Sequence, residues 1–168
     1  MRTRFVLVAA AVLALYAGCE KGLQPGDSVI YRVTPPPGDS IGVIAGTVSF
    51  TGTRPSADSL RDLRVVAFTR KYPTDSIVFA LFTGAAYYTA TTLPDSLPAA
   101  TYAITVPRRT YAYIAVAQQF GPSLYTDWRA VGVYAPTGDA TQPGAVTVRG
   151  GDTVHADIAV DWDHLPPQ

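Results

Sequence analysis

The chain has 168 residues, of which 48% are hydrophobic and 15% are charged, and its formal net charge is zero. This composition suits one globular domain with a core. It excludes wholesale disorder and a nucleic-acid-binding surface, which needs clustered Lys and Arg. The 14 Gly and 14 Pro, together with frequent Val, Thr and Tyr, predict short strands joined by turns rather than long helices.

The first 18 residues have the layout of a cleavable, helical export signal. Arg2 and Arg4 give a positive end, Phe5–Tyr16 is an unbroken apolar run, and the small residues Ala17 and Gly18 follow, as a signal peptidase requires. The apolar run has about 12 residues, whereas a membrane-spanning helix needs roughly 20. We therefore predict that residues 1–18 are a signal peptide and not a permanent transmembrane anchor.

Cys19 is the only cysteine of the chain and follows this signal directly. The stretch Leu15-Tyr16-Ala17-Gly18-Cys19 resembles the lipobox of bacterial lipoproteins, with Tyr16 in a place where that family usually has Leu. The resemblance implies that a peptidase cuts before Cys19 and that the Cys19 sulfur carries a diacylglycerol. The alternative is that Cys19 is a small hydrophobe in an ordinary export signal.

A lipidated Cys19 would anchor the mature chain to a membrane, because two or more acyl chains attach stably where one binds only marginally. In lipoproteins, Asp directly after the cysteine often signals retention in the inner membrane, and here the next residue is Glu20. The resemblance therefore implies a protein of the cell envelope, in the outer membrane where the host has one.

Residues 19–40 are predicted to be a Pro/Gly-rich tether. Pro25-Gly26 and Pro35-Pro36-Pro37-Gly38 cannot continue a helix or a central strand. Three consecutive prolines favour an extended polyproline II segment, which acts as a semi-rigid spacer. In the alternative, the apolar side chains of residues 30–33 pack onto the folded domain as an edge strand.

Residues 41–168 are predicted to form an all-β domain, because apolar and polar residues alternate with period 2 between Gly, Pro and Asp turns. A short helical turn is predicted at 56–61. The candidate strands are 44–50, 63–71, 76–83, 86–92, 101–106, 111–119, 129–134, 145–149 and 153–161. About eight or nine short strands predict an antiparallel β-sandwich with its core between two sheets.

Three pieces of this domain resemble the carboxypeptidase-regulatory-like and transthyretin-like (prealbumin-like) β-sandwich domains. Ile44–Val48 is similar to their opening strand, Leu97–Val106 to their Leu-Pro turn and Tyr-centred strand, and Thr147–Val160 to their last hairpin. The segments 72–96 and 120–144 are longer than in the compact family version. The resemblance implies an Ig-like/prealbumin-like sandwich with a non-catalytic role in stability, display or binding.

One group of residues near the C terminus has metal-ligand chemistry: His155, Asp157, Asp161, Asp163 and His164. On a strand, the first three would share one face, where an imidazole and carboxylates could bind a divalent cation. The preferred interpretation is a solvent-facing strand side and a polar tail. A stable zinc site needs three or four convergent ligands, and the chain has two His and one Cys. We predict no metal and no cofactor.

Nothing in the sequence predicts catalysis. No Gly-x-Ser-x-Gly motif is present, and His155 and His164 are the only imidazole bases. The Asp residues fall mostly in turns, where they have ordinary structural roles. We therefore predict that the protein is not an enzyme.

Aromatic residues provide the candidate binding site. The segment 120–129 carries Tyr125 and Trp128 beside polar residues, and exposed rings of this kind stack on sugars or anchor protein interfaces. The alternative is that both rings cap one end of the core. A cross-strand aromatic patch that serves packing is predicted from Tyr87, Tyr88, Tyr111 and Tyr113.

These expectations describe a membrane-anchored, non-catalytic envelope lipoprotein that acts as a structural or protein-interaction β-sandwich module. Its partner would be the membrane, through lipidated Cys19, with an envelope protein or a glycan as a further partner and no nucleic acid. The alternative is a carbohydrate-binding module that uses the 120–129 loop. A hydrolase is the third and least favoured hypothesis.

Overall fold

The computed structural model describes residues 41–71, 80–81, 83–94 and 96–167. The predicted signal peptide, the tether with its alternative edge strand, and most of the strand predicted at 76–83 lie outside these residues. Within that predicted strand, Ala80 and Leu81 are described and are helical rather than extended, so the prediction is wrong at these two residues. The described residues form a β-rich domain.

Ten strands and one short 3-10 helix make up the described domain. In chain order they are β1 (Ile41–Thr51), the 3-10 helix (Ala57–Ser59), β2 (Asp62–Phe68), β3 (Ala86–Tyr88), β4 (Ala99–Pro107), β5 (Arg109–Tyr111), β6 (Tyr113–Gln119), β7 (Trp128–Val133), β8 (Val146–Val148), β9 (Thr153–His155) and β10 (Ile158–Asp161). The prediction of an all-β fold is confirmed. The helical turn predicted at 56–61 is present as the 3-10 helix.

Most strands belong to one curled, mixed sheet. Its order is β3-β2-β6-β7-β10-β1-β4, with β9 pairing with β1 beside this path, while β5 and β8 form a separate pair. The prediction of a purely antiparallel arrangement is wrong, because β1 pairs in parallel with both β9 and β10. Side-chain alternation identifies the two faces of a strand but not the direction of its neighbour, so the sequence pattern could not distinguish the two arrangements.

The last predicted strand is divided into β9 and β10 by Ala156 and Asp157. At this break the N–H of Ala156 donates to the carbonyl of Ala45 at 2.8 Å, and Asp157 Oδ1 accepts from the N–H of Thr47 at 2.8 Å. Gly46 lies opposite, where a Cβ would come within 2.4 Å of the Ala156 carbonyl oxygen. This close approach therefore requires a glycine in the middle of β1.

The main core lies between two halves of the curled sheet. One half is β3-β2-β6-β7, the other is β10-β1-β4 with β9, and a single residue pair, Val160–Gly132, joins them within the sheet. Fully enclosing a Val, Leu or Ile side chain contributes about 1.5–3 kcal/mol. The side chains enclosed between the halves include Ile44, Val48, Leu63, Val65, Val106, Ile114, Val116, Val131, Ile158 and Val160.

The four tyrosines predicted as one aromatic patch lie on two faces. Tyr87 and Tyr111 pack with the main core and meet edge to face, with ring centroids 5.9 Å apart. Tyr113 packs against Phe68 on the opposite face, and Tyr88 is exposed. Because consecutive strand residues point to opposite faces, Tyr87 and Tyr88 cannot share a patch.

Candidate functional site

The outer face of the β3-β2-β6-β7 half is apolar, like its inner face. A sheet with one face in water alternates apolar and polar side chains, whereas β6 is buried along its whole length and β2 along most of it. The outward-facing side chains of the sheet, together with Ala80, which packs against them, form a second hydrophobic cluster, called here the outer cluster: Val66, Phe68, Ala80, Ala86, Tyr113, Ala115, Ala117 and Val133. A second apolar face either is covered or serves as a binding surface.

Part of this outer face is open and forms a groove of about 760 Å³, which we call the apolar groove. That volume lies within the range of pockets that bind small ligands or peptide side chains. Val66 and Ala117 form its floor, and the exposed side chains of Leu81, Tyr88 and Leu124 stand around it. The complete described lining is Asp62, Arg64, Val66, Leu81, Tyr88, Ala90, Ala117, Leu124 and Trp128.

The strand order sets the width of the apolar groove. Tyr88 on β3 pairs with Val66 on β2, and Trp128 on β7 pairs with Gln119 on β6. Because β2 and β6 separate β3 from β7, the two walls stand roughly 14 Å apart at about 4.8 Å per strand. This width accommodates an extended peptide or one face of a helix about 10–12 Å across.

A fixed ion pair lies at one end of the apolar groove. The Arg64 Nε–H donates to both carboxylate oxygens of Asp62, at 3.0 and 2.8 Å, in a pair that is about four-fifths buried. Arg64 Nη1 also donates to the carbonyls of Thr89 and Ala90, each at 2.8 Å. The guanidinium therefore ties the segment after β3 to β2, and its charge is already matched before any ligand arrives.

Asp127 organises the loop between β6 and β7. Its Oδ2 accepts from the N–H of Ser123 at 2.8 Å, and its Oδ1 accepts from the Thr126 hydroxyl at 2.9 Å. Its backbone carbonyl accepts from the N–H of Phe120 at 2.9 Å, so both ends of the loop are held. Gly121 packs directly against the carboxylate, where a Cβ would clash. The loop is thus a pre-formed support for the residues at its tip.

Of the two predicted binding residues, Trp128 lines the apolar groove and Tyr125 does not. Trp128 is half-buried, packs against the outer cluster rather than the main core, and donates from Nε1 to the carbonyl of Leu124 at 3.1 Å. Tyr125 is 66% exposed at the loop tip. Leu124, equally exposed, is a groove residue that the sequence did not indicate, because one Leu in a polar loop carries no pattern.

The histidines and carboxylates near the C terminus act mainly as local caps. Asp161 Oδ2 lies 3.0 Å from His164 Nδ1, and Asp163 Oδ1 accepts from a backbone N–H in the turn after β1 at 3.0 Å. The hydrogen bond from His164, together with the N–H of Asp163, holds the pKa of Asp161 below its ordinary value. Asp157 binds the backbone of β1, and His155 is exposed. Within the residues described, no three His, Cys, Asp or Glu side chains converge to hold a metal ion.

Among the residues that the structure covers, no helix has both the length and the apolar character needed to cross a bilayer. Comparison of the chain with protein-family models, with curated proteins and with solved structures gave no match in any of the three.

Proposed function

We propose that the protein is a non-catalytic binding module of the cell envelope, anchored to the membrane through lipidated Cys19, with the apolar groove as its binding surface. The groove carries this proposal, because a concave, mostly apolar surface with a few polar groups is typical of binding sites. Around the groove, Leu81, Tyr88 and Leu124 are 36%, 53% and 66% exposed.

The chemistry of the groove favours a protein partner that presents apolar side chains. The charged lining residues, Asp62 and Arg64, are bonded to each other and to backbone carbonyls, so they offer little to a polar ligand. Covering the exposed Tyr88 and Leu124 gains about 25 cal/mol for each Å² of apolar surface removed from water. Aromatic and aliphatic side chains of a partner would supply that cover.

Among the residues described, the apolar groove contains no imidazole base. General acid–base catalysis needs a base held beside the substrate. His155 and His164 are both exposed, and neither lines the apolar groove. His164 is bound to Asp161, and both line a separate cleft of about 420 Å³ near the C-terminal end of the sheet.

We further propose that the curled sheet is a sandwich of the carboxypeptidase-regulatory-like or transthyretin-like kind. Its two halves face each other across the main core, and only the Val160–Gly132 pair joins them, which supports a two-layer description. Within Leu97–Val106, the segment that resembles the family's Tyr-centred strand, Tyr102 lies in the middle of β4. Modules of this kind typically serve stability, display or binding.

Site-specific photo-crosslinking in intact cells tests the binding surface. A benzophenone amino acid would replace Tyr88 or Leu124 in the full-length chain, with Thr147, exposed on β8 and outside the groove, as the control position. We expect both groove positions to give the same envelope-protein adduct and the control position to give none. Equal adducts from all three positions, or none from the groove, would refute the proposal.

A matched pair of substitutions tests the same surface by affinity. Leu124 and Tyr125 are adjacent and equally exposed, but only Leu124 lines the groove. Leu124→Ala should weaken co-purification of the crosslinked protein, and Tyr125→Ala should leave it unchanged. Weakening by Tyr125→Ala alone would move the binding surface to the loop tip.

A glycan is the second candidate ligand, supported by the placement of Tyr88 and Trp128 on opposite walls of one groove. Aromatic faces stack on the apolar faces of sugar rings. Binding of the full-length protein to a glycan array, lost in Trp128→Ala with an unchanged circular dichroism spectrum, would favour this candidate. Absence of any bound glycan would leave the protein partner as the better hypothesis.

A further inference from the structure

The strand β4 forms one edge of the curled sheet. Within the described residues β4 pairs only with β1, and no second strand is hydrogen-bonded to the nine residues Ala99–Pro107, although β3 comes within 8 Å of β4. The register with β1 runs without interruption from Ile41–Pro107 to Ser49–Ala99, so β4 is free of bulges. An edge of this length presents a row of backbone donors and acceptors.

The hydrogen bonds of β1 identify which groups of β4 face outward. The N–H of Val43 donates to the Asp152 carbonyl and the carbonyl of Ala45 accepts from Ala156, so the odd-numbered residues of β1 bond toward β9. The N–H and C=O of one strand residue point to the same side. The even-numbered residues of β1 therefore bond toward β4.

The outward-facing residues of β4 follow from its register with β1. The partners of the even-numbered β1 residues include Tyr102 and Ile104, which bond inward, so Thr101, Ala103 and Thr105 direct their N–H and C=O groups to the open edge. The side chains of these three residues are also exposed.

This edge lacks the features that usually prevent strand addition. Natural edges are protected by charged side chains, by Pro, by bulges or by shortness. From Ala99 to Val106, β4 contains no charge and no proline, and its exposed side chains are small. At one end the outward carbonyl of Pro107 is already occupied by the Tyr111 hydroxyl at 2.8 Å, which limits the open stretch to the residues before it.

The sequence of β4 is nearly symmetric about Ala103. Thr101 and Thr105 lie two residues to either side, and the exposed and buried positions alternate identically in both directions. In an antiparallel pair of two such strands, Ala103 would face its counterpart, and each Thr101 would face Thr105 of the second copy. When two residues face each other and both direct their N–H and C=O groups toward the other strand, they exchange two hydrogen bonds. Thr–Thr pairs on neighbouring strands are also favourable.

We propose that two copies of this chain associate through antiparallel pairing of β4, with the twofold axis at Ala103. A closed twofold contact uses the β4 edges of both copies at once and leaves neither of them exposed. When a strand pairs with a second copy of itself, charged residues on it could face residues of like charge, which is unfavourable. The exposed side chains of β4 carry no charge, so this repulsion does not arise. The proposal does not depend on the apolar groove, which lies on the other half of the sheet.

Cysteine crosslinking in membranes of cells that express the full-length chain tests the pairing. Facing residues of a bonded antiparallel pair have Cα atoms about 5.5 Å apart, within the range that a disulfide spans. We expect Ala103→Cys to give a disulfide-linked dimer on a non-reducing gel. The matched control is Ala159→Cys, since Ala159 is an exposed alanine on β10, which has neighbours on both sides. A dimer yield no higher than that of Ala159→Cys and of the wild type would overturn the proposal.

Mixed crosslinking tests the register. Thr101→Cys and Thr105→Cys, expressed together, should form a crosslinked dimer. Either variant alone should not, because the two copies of position 101, like those of position 105, are offset by four strand residues, or about 14 Å between Cα atoms. A crosslink between Thr101→Cys and Ala103→Cys in place of this pair would show a shifted register, and the twofold axis at Ala103 would then be wrong.

Charge substitution separates loss of association from loss of folding. Ala103→Lys should lower the association constant of the detergent-solubilised full-length protein by about tenfold or more, because like charges would face each other across the axis. Ala103→Glu should do the same. A mixture of the two variants should recover the dimer in sedimentation experiments. Unchanged dimer in either single variant, or no recovery in the mixture of folded chains, would contradict the pairing.

Discussion

The hydroxyl of Tyr102, in the middle of β4, donates a hydrogen bond of 2.5 Å to the carbonyl of Ala156, at the break between β9 and β10. Both residues are buried, so the bond satisfies a carbonyl that water does not reach. Burial, followed by the nearby Asp157 carboxylate and then Tyr134, raises the pKa of Tyr102 above its ordinary value of 10.0. The fold therefore favours the neutral phenol.

The Tyr102 hydroxyl predicts how stability depends on alkaline pH. A group whose pKa is raised on folding contributes stability fully below its unfolded pKa and loses it as the pH rises above that value. Urea denaturation of the wild type should therefore show a free energy of unfolding that falls as the pH rises above about 10. In Tyr102→Phe this decline should be shallower, though not abolished, because burial also raises the pKa of Tyr111 and Tyr113.

The same variant should be less stable at neutral pH. Removing the hydroxyl leaves the buried Ala156 carbonyl without its donor, at a cost of about 1–2 kcal/mol. If Tyr102→Phe and the wild type lost stability in parallel as the pH rose, the raised pKa of Tyr102 would not contribute to the alkaline transition.

Residue identity alone indicated some of the candidate site. Trp128 was expected from its position in a polar, aromatic loop, and it does line the apolar groove. Tyr88 and Leu124 line it with Trp128 only because the strand order brings β3, β7 and the loop before β7 around the same face. The Asp62–Arg64 pair was not expected, because alternate charged residues in a strand usually face water.

At the scale of the elements, the period-2 pattern predicted strands well and their partners poorly. The strand expected at 101–106 is present as β4 (Ala99–Pro107), with alternate residues exposed and buried. The parallel neighbours of β1 come from the far end of the chain, and no local pattern encodes such a pairing. β6 (Tyr113–Gln119) was expected as part of a strand at 111–119, but the burial of both its faces was not predicted.

The close contact between β1 and the β9–β10 break predicts an unusual sensitivity at one glycine. A Cβ at Gly46 would lie 2.4 Å from the Ala156 carbonyl oxygen, so Gly46→Ala should lower the free energy of unfolding by about 2–3 kcal/mol through overpacking. Urea denaturation measures this change. The control is Gly138→Ala, where φ is +80° but nothing lies within 4 Å of the new Cβ.

Comparing the two glycine substitutions separates the effect of steric crowding on stability from the effect of backbone conformation. The left-handed φ of Gly138 makes Gly138→Ala cost about 1 kcal/mol through conformation alone. If Gly46→Ala were no more destabilising than Gly138→Ala, the backbone of β9 and β10 would be able to move away from β1, and the break would not be a fixed feature of the fold.

At the scale of the whole molecule, the proposed anchor would determine where the domain acts. The residues that predict it, 1–19, precede a Pro/Gly-rich stretch of about 20 residues, which can reach at most about 70 Å when fully extended. Fatty-acid labelling in a bacterial host should mark the wild type, and Cys19→Ala should lose the label and move from the membrane to the soluble fraction. Tyr16→Leu, which restores the usual lipobox residue, should label at least as strongly as the wild type. Label that persists in Cys19→Ala would refute the anchor.

The two proposed surfaces lie on different halves of the curled sheet, so the molecule can use both at once. The apolar groove is built on β3, β2, β6 and β7, whereas the proposed self-pairing edge is β4, which belongs to the other half of the curled sheet. Substitutions at separate sites that share no contacts have additive effects. Ala103→Lys should therefore leave the photo-crosslinked adduct at position 124 unchanged, and Leu124→Ala should leave the disulfide yield of Ala103→Cys unchanged. If Ala103→Lys also abolished the adduct, partner binding would require the paired form, and the groove would act as part of a dimeric surface.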